Sequence, residues 1–178
     1  LVAASKAGGV GVFVSPHYYY PTDSEWQFGG TLENVMHEID MFARRDALSL
    51  EGFEGSGADW LDRFKPWLTD GQTVVASPHK VYGPATNDLS LQLRKRGIDR
   101  VVLAGMSANL CVESHLRHLL EDGFEVAVVK DATAGARHPE LGDGYESALR
   151  NFGYLASGVL TTEEAVSAIS GRVPAGVA

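Results

Sequence analysis

One cysteine, three methionines and seven prolines in 178 residues leave little room for several classes of protein. A single cysteine cannot close an internal disulfide, which points to a reducing compartment and makes the cytoplasm the expected location. No apolar run approaches the roughly 18 residues that span a membrane. Cationic residues are scarce: 15 Lys and Arg stand against 23 Asp and Glu, for a net charge of -8. Without clustered Lys and Arg interleaved with aromatics, a nucleic-acid surface is excluded. Repeats, low-complexity linkers and a compositional break are also lacking, so residues 1–178 are expected to form a single domain.

What is present is an alternation of short apolar runs and helical patterns. Val10 to Ser15, Gln72 to Ser77, Arg100 to Ala104 and Phe124 to Val129 read as strands, with Leu155 to Leu160 a weaker fifth. Continuous rather than alternating apolar runs predict strands covered on both faces of a parallel sheet. Helices are predicted over Ala58 to Leu68, Thr86 to Arg96 (capped by Thr86), Leu110 to Asp122, Glu140 to Asn151 and Thr162 to Ser170. Gly97 and Gly123 stop two of them, and Thr161-Thr162-Glu163-Glu164 supplies a cap and carboxylates for the last. The expected fold is α/β: a doubly wound, Rossmann-like parallel sheet with helices on both faces, in three layers. Residues 16 to about 57 interrupt the rhythm, with a mixed helical stretch around Leu32 to Phe42. They leave the carboxyl end of the first strand, where open α/β sheets form their ligand crevice.

Two residues stand where chemistry is expected. In Leu103-Ala104-Gly105-Met106-Ser107-Ala108-Asn109-Leu110-Cys111, a strand ends, a turn follows and a helix opens at Cys111. A helix N-terminus favours thiolate over thiol, and its N–H groups can hold an oxyanion beside the sulfur. On these grounds alone, a nucleophile and a small buried core cysteine are equally good readings. Lys80, in Ser77-Pro78-His79-Lys80-Val81-Tyr82, follows directly on a strand and would favour a neighbouring thiolate, with Nζ expected within about 5 Å of the sulfur. Taken in isolation, a solvated lysine is the better reading, and His79 reads as an exposed loop residue.

The Lys80 segment, Gly97-Ile98-Asp99-Arg100-Val101-Val102-Leu103-Ala104-Gly105, Asn109-Leu110-Cys111-Val112-Glu113-Ser114 and Val128-Val129-Lys130-Asp131-Ala132 resemble the isochorismatase-like cysteine hydrolases. The resemblance extends from the first helix to the last. It implies an Asp-Lys-Cys triad in which Cys111 is the nucleophile and Lys80 the lysine. It also implies an oxyanion hole built from the backbone N–H groups of Ser107 and Cys111, and a cis peptide joining Met106 to Ser107. The family's aspartate ends its first, central strand in a phrase such as Asp-Met-Gln, which this sequence does not contain. Asp23 and Asp131 lie in other segments, Asp131 as a structural cap. The chain opens as the last turns of a helix, Leu1-Val2-Ala3-Ala4-Ser5-Lys6-Ala7, so the strand with the aspartate is expected upstream.

The resemblance also narrows the chemistry. True isochorismatases of the family typically carry glycine at the cysteine position, so Cys111 implies hydrolysis of a C–N bond in a small molecule: an amide, carbamoyl or ureido group. Nicotinamidases of the family hold a metal through an Asp-x-His pair and further histidines. Here Ser15-Pro16-His17-Tyr18-Tyr19-Tyr20-Pro21-Thr22-Asp23 lacks that spacing, so neither metal nor cofactor is expected. His17 and Tyr82 are expected to line the substrate pocket. Tyr18, Tyr19, Tyr20 and Trp26 fit either a pocket or a contact in a homo-oligomer, a dimer or tetramer. The rival readings are an ether hydrolase with Cys111 as a bystander, and a non-catalytic binding module of the same fold.

Overall fold

A computed structural model describes residues 1–46, 49 and 51–171. Helix α1, Val2–Ala7, leads through Gly9 (φ +66°) into strand β1, Phe13–Val14, which pairs in parallel with β2, Val74–Val75. Between them lie a 3-10 turn at Pro21–Glu25 and two short helices, α2 at Thr31–Glu38 and α3 at Lys65–Leu68. After α4, Leu89–Lys95, come β3, Arg100–Met106, a π-helical turn at Ala108–Val112 and α5, Glu113–Glu121. The chain continues through β4, Glu125–Ala134, and a small antiparallel hairpin of β5, Arg137–His138, and β6, Gly142–Asp143. It closes with α6, Gly144–Leu155, β7, Gly158–Leu160, and α7, Thr162–Ser170. None of the described helices is long and apolar enough to cross a membrane.

The parallel strands and flanking helices form the expected α/β/α arrangement, centred on β4, which pairs with β3 on one edge and β7 on the other. Val126 and Val128 of β4 pack with Leu116 and Leu119 of α5 and Phe152 of α6, all essentially inaccessible. Alternation turns Val129 to the opposite face, where α7 covers the strand with Ala165 and Ile169. Asp131 does act structurally: its carboxylate accepts from the Thr162 backbone N–H (2.7 Å) and hydroxyl (2.9 Å), fixing the start of α7 to β4. Thr161 and Glu164 complete the cap foreseen there.

Several elements differ from expectation, each for a local reason. Only Lys65–Leu68 of the helix predicted from Ala58 forms. The Asp59 carboxylate takes the backbone N–H groups of Gly55 and Trp60, and Pro66 has no N–H to give Asp62. Helix α4 starts at Leu89 rather than Thr86, whose hydroxyl instead accepts the Lys80 backbone N–H at 3.1 Å. Helix α6 starts at Gly144 because Asp143, not Glu140, receives the N–H groups of Tyr145 and Glu146.

The sheet is in two parallel pieces, β1–β2 and β3–β4–β7. A groove of about 930 Å³ runs between them, lined by residues 10–15 on one side and 97–106 on the other, and it reaches His79, Cys111 and His115. The expectation that Arg100 to Ala104 is covered on both faces therefore fails. Val102 is 48% exposed and Met106 74%, because the free edge of β3 opens onto the groove.

Candidate active site

Cys111 lies one turn beyond the carboxyl end of β3. The strand ends at Met106, just past Gly105, whose φ of +133° suits glycine, and the Met106–Ser107 peptide is cis, as the resemblance implied. The chain then winds as a π-helical turn, with the Val112 N–H reaching back to the Ser107 carbonyl at 3.1 Å. Such turns occur often at functional sites. Asn109 in this turn is seated under Gly144, where an added Cβ would fall 2.6 Å from the Asn109 Oδ1.

The Cys111 sulfur is half-buried, and burial pushes its thiol up from the ordinary value. The backbone N–H groups of Ser107 and then Cys111 act on the sulfur in the opposite sense, favouring thiolate. The expected depression of the thiol is thus overturned: desolvation outweighs the N–H groups. His115, one helical turn on, holds the segment through its ring. Its Nδ1 lies 2.7 Å from the Cys111 carbonyl and its Nε2 2.7 Å from the Ser15 hydroxyl, which also accepts from Asn87. These partners assign the proton to Nδ1.

Two further histidines face the sulfur. His17, after β1, and His79, after β2, form a parallel β-bridge, and one ligand atom each from His17, His79 and Cys111 fall within 4.8 Å of one another. The His17 Nε2 donates to the Lys80 carbonyl at 2.9 Å, which leaves Nδ1 with its lone pair. The His79 ring is 2% exposed, and its buried Nδ1 has no partner among the described residues. Burial pushes the His17 imidazole down to about 4 and that of His79 to about 3. Both rings are neutral at pH 7. His79, read from sequence as an exposed loop residue, is a buried member of the site.

Lys80, next in the chain, makes its contacts with Asp23 and Tyr20. Its ammonium pairs with the buried Asp23 carboxylate, which also accepts the Tyr20 N–H at 2.8 Å, and lies 3.7 Å from the centre of the Tyr20 ring. The structure brings Cys111 together with His17 and His79, and Lys80 together with Asp23 and Tyr20. Tyr82 is half-buried near Cys111, and its hydroxyl is pushed up by burial and by Glu33 and Cys111. Tyr19 joins the same neighbourhood with a buried hydroxyl that has no partner among the described residues. The sequence offered no signal for Tyr19 over Tyr18 and Tyr20, since all three stand in one irregular segment.

The ureidoacrylate amidohydrolase RutB of Methylorubrum extorquens is 37% identical over 187 residues, covering 98% of this chain and 71% of that protein. The isochorismatase family protein YecD of Escherichia coli O157:H7 is 51% identical over 49 residues, 28% of this chain and only 26% of its own length. Among solved structures, a cysteine hydrolase from Pseudomonas syringae pv. phaseolicola shares the fold with a TM-score of 0.75 at 20% identity, over 96% of this chain and 77% of that one. The isochorismatase domain model matches residues 1–164, and the chain belongs to the isochorismatase family.

Proposed function

We propose that the protein is a cysteine-dependent hydrolase that cleaves a C–N bond of a small amide, carbamoyl or ureido compound through a thioester. The observation that carries this reading is the setting of Cys111, with the Ser107 and Cys111 N–H groups directed at its sulfur. The same groups suit an oxyanion formed when the thiolate attacks a carbonyl carbon. The amine or ammonia leaves, and water releases the acid from sulfur. The name of the 37% identical relative, a ureidoacrylate amidohydrolase, supports a ureido group as the first substrate class to try.

The proton on Cys111 needs an acceptor, and burial holds both neighbouring imidazoles well below their ordinary value. The acceptor in this reading is the carboxylate of the family's Asp-Lys-Cys triad, and the groove between β1 and β3, which reaches Cys111, has room for an extended segment to carry it. Lys80 serves as the cation of the site from its place beside Asp23, where its charge helps hold His17 neutral.

The test is ammonia release from ureido, carbamoyl and simple amide compounds by the purified protein. Cys111→Ser should lower kcat/KM at least about a thousandfold, and mass spectrometry should find the acyl group on Cys111. Turnover unaffected by Cys111→Ser sinks the nucleophile.

A further inference from the structure

We propose that His17, His79 and Cys111 form a binding site for a soft divalent cation of the zinc class. Three ligand atoms, two nitrogens and a sulfur, lie within 4.8 Å of one another. Tetrahedral bonds of about 2.0–2.3 Å place ligand atoms roughly 3.5 Å apart, so the set must contract by about 1 Å and the stacked rings of His17 and His79, 29° apart, must turn for their lone pairs to converge. The ligands come from two directions: His17 and His79 follow the neighbouring parallel strands β1 and β2, and Cys111 follows β3 across the groove. The rings are already joined by a backbone bridge that fixes their spacing.

The hydrogen-bond pattern points the same way. Ligation needs a neutral imidazole with one nitrogen free, and metal-bound histidines commonly donate the other N–H to a backbone carbonyl. His17 does this with the Lys80 carbonyl at 2.9 Å. His79 is 2% exposed, and its Nδ1 satisfies nothing among the described residues, an expensive state for a buried polar atom. His115 is excluded as a ligand, since both its ring nitrogens are engaged. One thiolate and two imidazoles, with no carboxylate in the set, select zinc-class ions over magnesium or calcium.

Binding is a simple exchange: the Cys111 S–H bond breaks, a sulfur–metal bond forms, and one proton is released to solvent. Three protein ligands leave a fourth position open. Occupancy does not depend on the hydrolase reading. Its consequence does: a sulfur bound to metal is withdrawn as a nucleophile, so the cation is an inhibitor of the proposed reaction.

Cobalt(II) titration of metal-free protein tests the site by spectroscopy. We expect visible bands of a tetrahedral site and a near-ultraviolet thiolate-to-cobalt band, saturating at one ion per chain and erased by zinc. Blocking Cys111 with iodoacetamide in the wild-type protein, or Cys111→Ser, should remove the near-ultraviolet band. His17→Ala and His79→Ala should each weaken binding about tenfold or more, while His138→Ala, an exposed control, should not. Absence of both bands, or bands that survive Cys111 alkylation, overturns the proposal. Cobalt bands without hydrolysis leave this site standing and count against the hydrolase reading, and hydrolysis without cobalt bands does the reverse.

Discussion

His17 and His79 stand side by side in a parallel β-bridge, their rings stacked with centroids 4.6 Å apart. Neither ring can accept a proton without placing a charge in a desolvated pocket beside its neighbour, and both are held below the ordinary 6.5, at about 4 and about 3. The unfolded chain therefore binds protons first as pH falls. Stability is full above about pH 6.5 and declines towards pH 3, by up to about 1.4 kcal/mol per pH unit for each ring. Urea midpoints between pH 7.5 and 5, above the carboxylate range, should fall accordingly, and His79→Gln should flatten the profile. A wild-type midpoint constant over that interval would contradict the pairing.

Cys111 labelling is expected to be slow. Because burial raises the thiol, iodoacetamide should react about tenfold or more slowly than with a free small thiol at pH 7. The inflection of rate against pH should lie above 9.0. An inflection near 7 would mean that the N–H groups of Ser107 and Cys111 outweigh desolvation after all.

The Lys80–Asp23 pair gives a third test. Lys80→Met strands a buried carboxylate and should cost about 3 kcal/mol, whereas Lys80→Met with Asp23→Asn should recover most of it. The Cys111 labelling profile should be unchanged in either variant. A profile that shifts upward in Lys80→Met would bring Lys80 into direct contact with the thiolate.

Gly144→Ala should push the Asn109 carboxamide out from under α6 and cost about 1–3 kcal/mol by overpacking. Thermal melts of Gly144→Ala and of Gly144→Ala with Asn109→Gly separate this clash from helix propensity, since only the clash is relieved in the double variant.

Much of this was legible in the residues. The run Arg100 to Gly105, the helix carrying Leu116 and Leu119, and the Thr161 cap each have a local cause that the sequence carries whole. The placement of Cys111 after β3 follows from that regularity. That His79 is brought to the sulfur was not legible, because it depends on the course of a short segment set by the His79 N–H bond to the Pro16 carbonyl and the Lys80 N–H bond to the Thr86 hydroxyl. Equally hidden was the balance at the thiol. A helix start can be read from sequence, but the desolvation that opposes it comes from side chains distant in the chain. The failed helix at Ala58 shows the reverse error, where an apolar period was trusted over Asp59 and Pro66.

The division of the sheet has a consequence for how the molecule moves. No backbone ladder joins β1–β2 to β3–β4–β7 among the described residues, and side chains hold the two strips together, as the Ser15 hydroxyl does with His115 at 2.7 Å. Strand β4, bonded on both edges, belongs to the slowest-exchanging part, and β1 and β2, two residues each, to the fastest. The seam between the strips passes through the site itself, with His17 and His79 on one bank and Cys111 on the other. Whatever bridges that seam, whether polypeptide or ion, sets the distance from imidazole to sulfur.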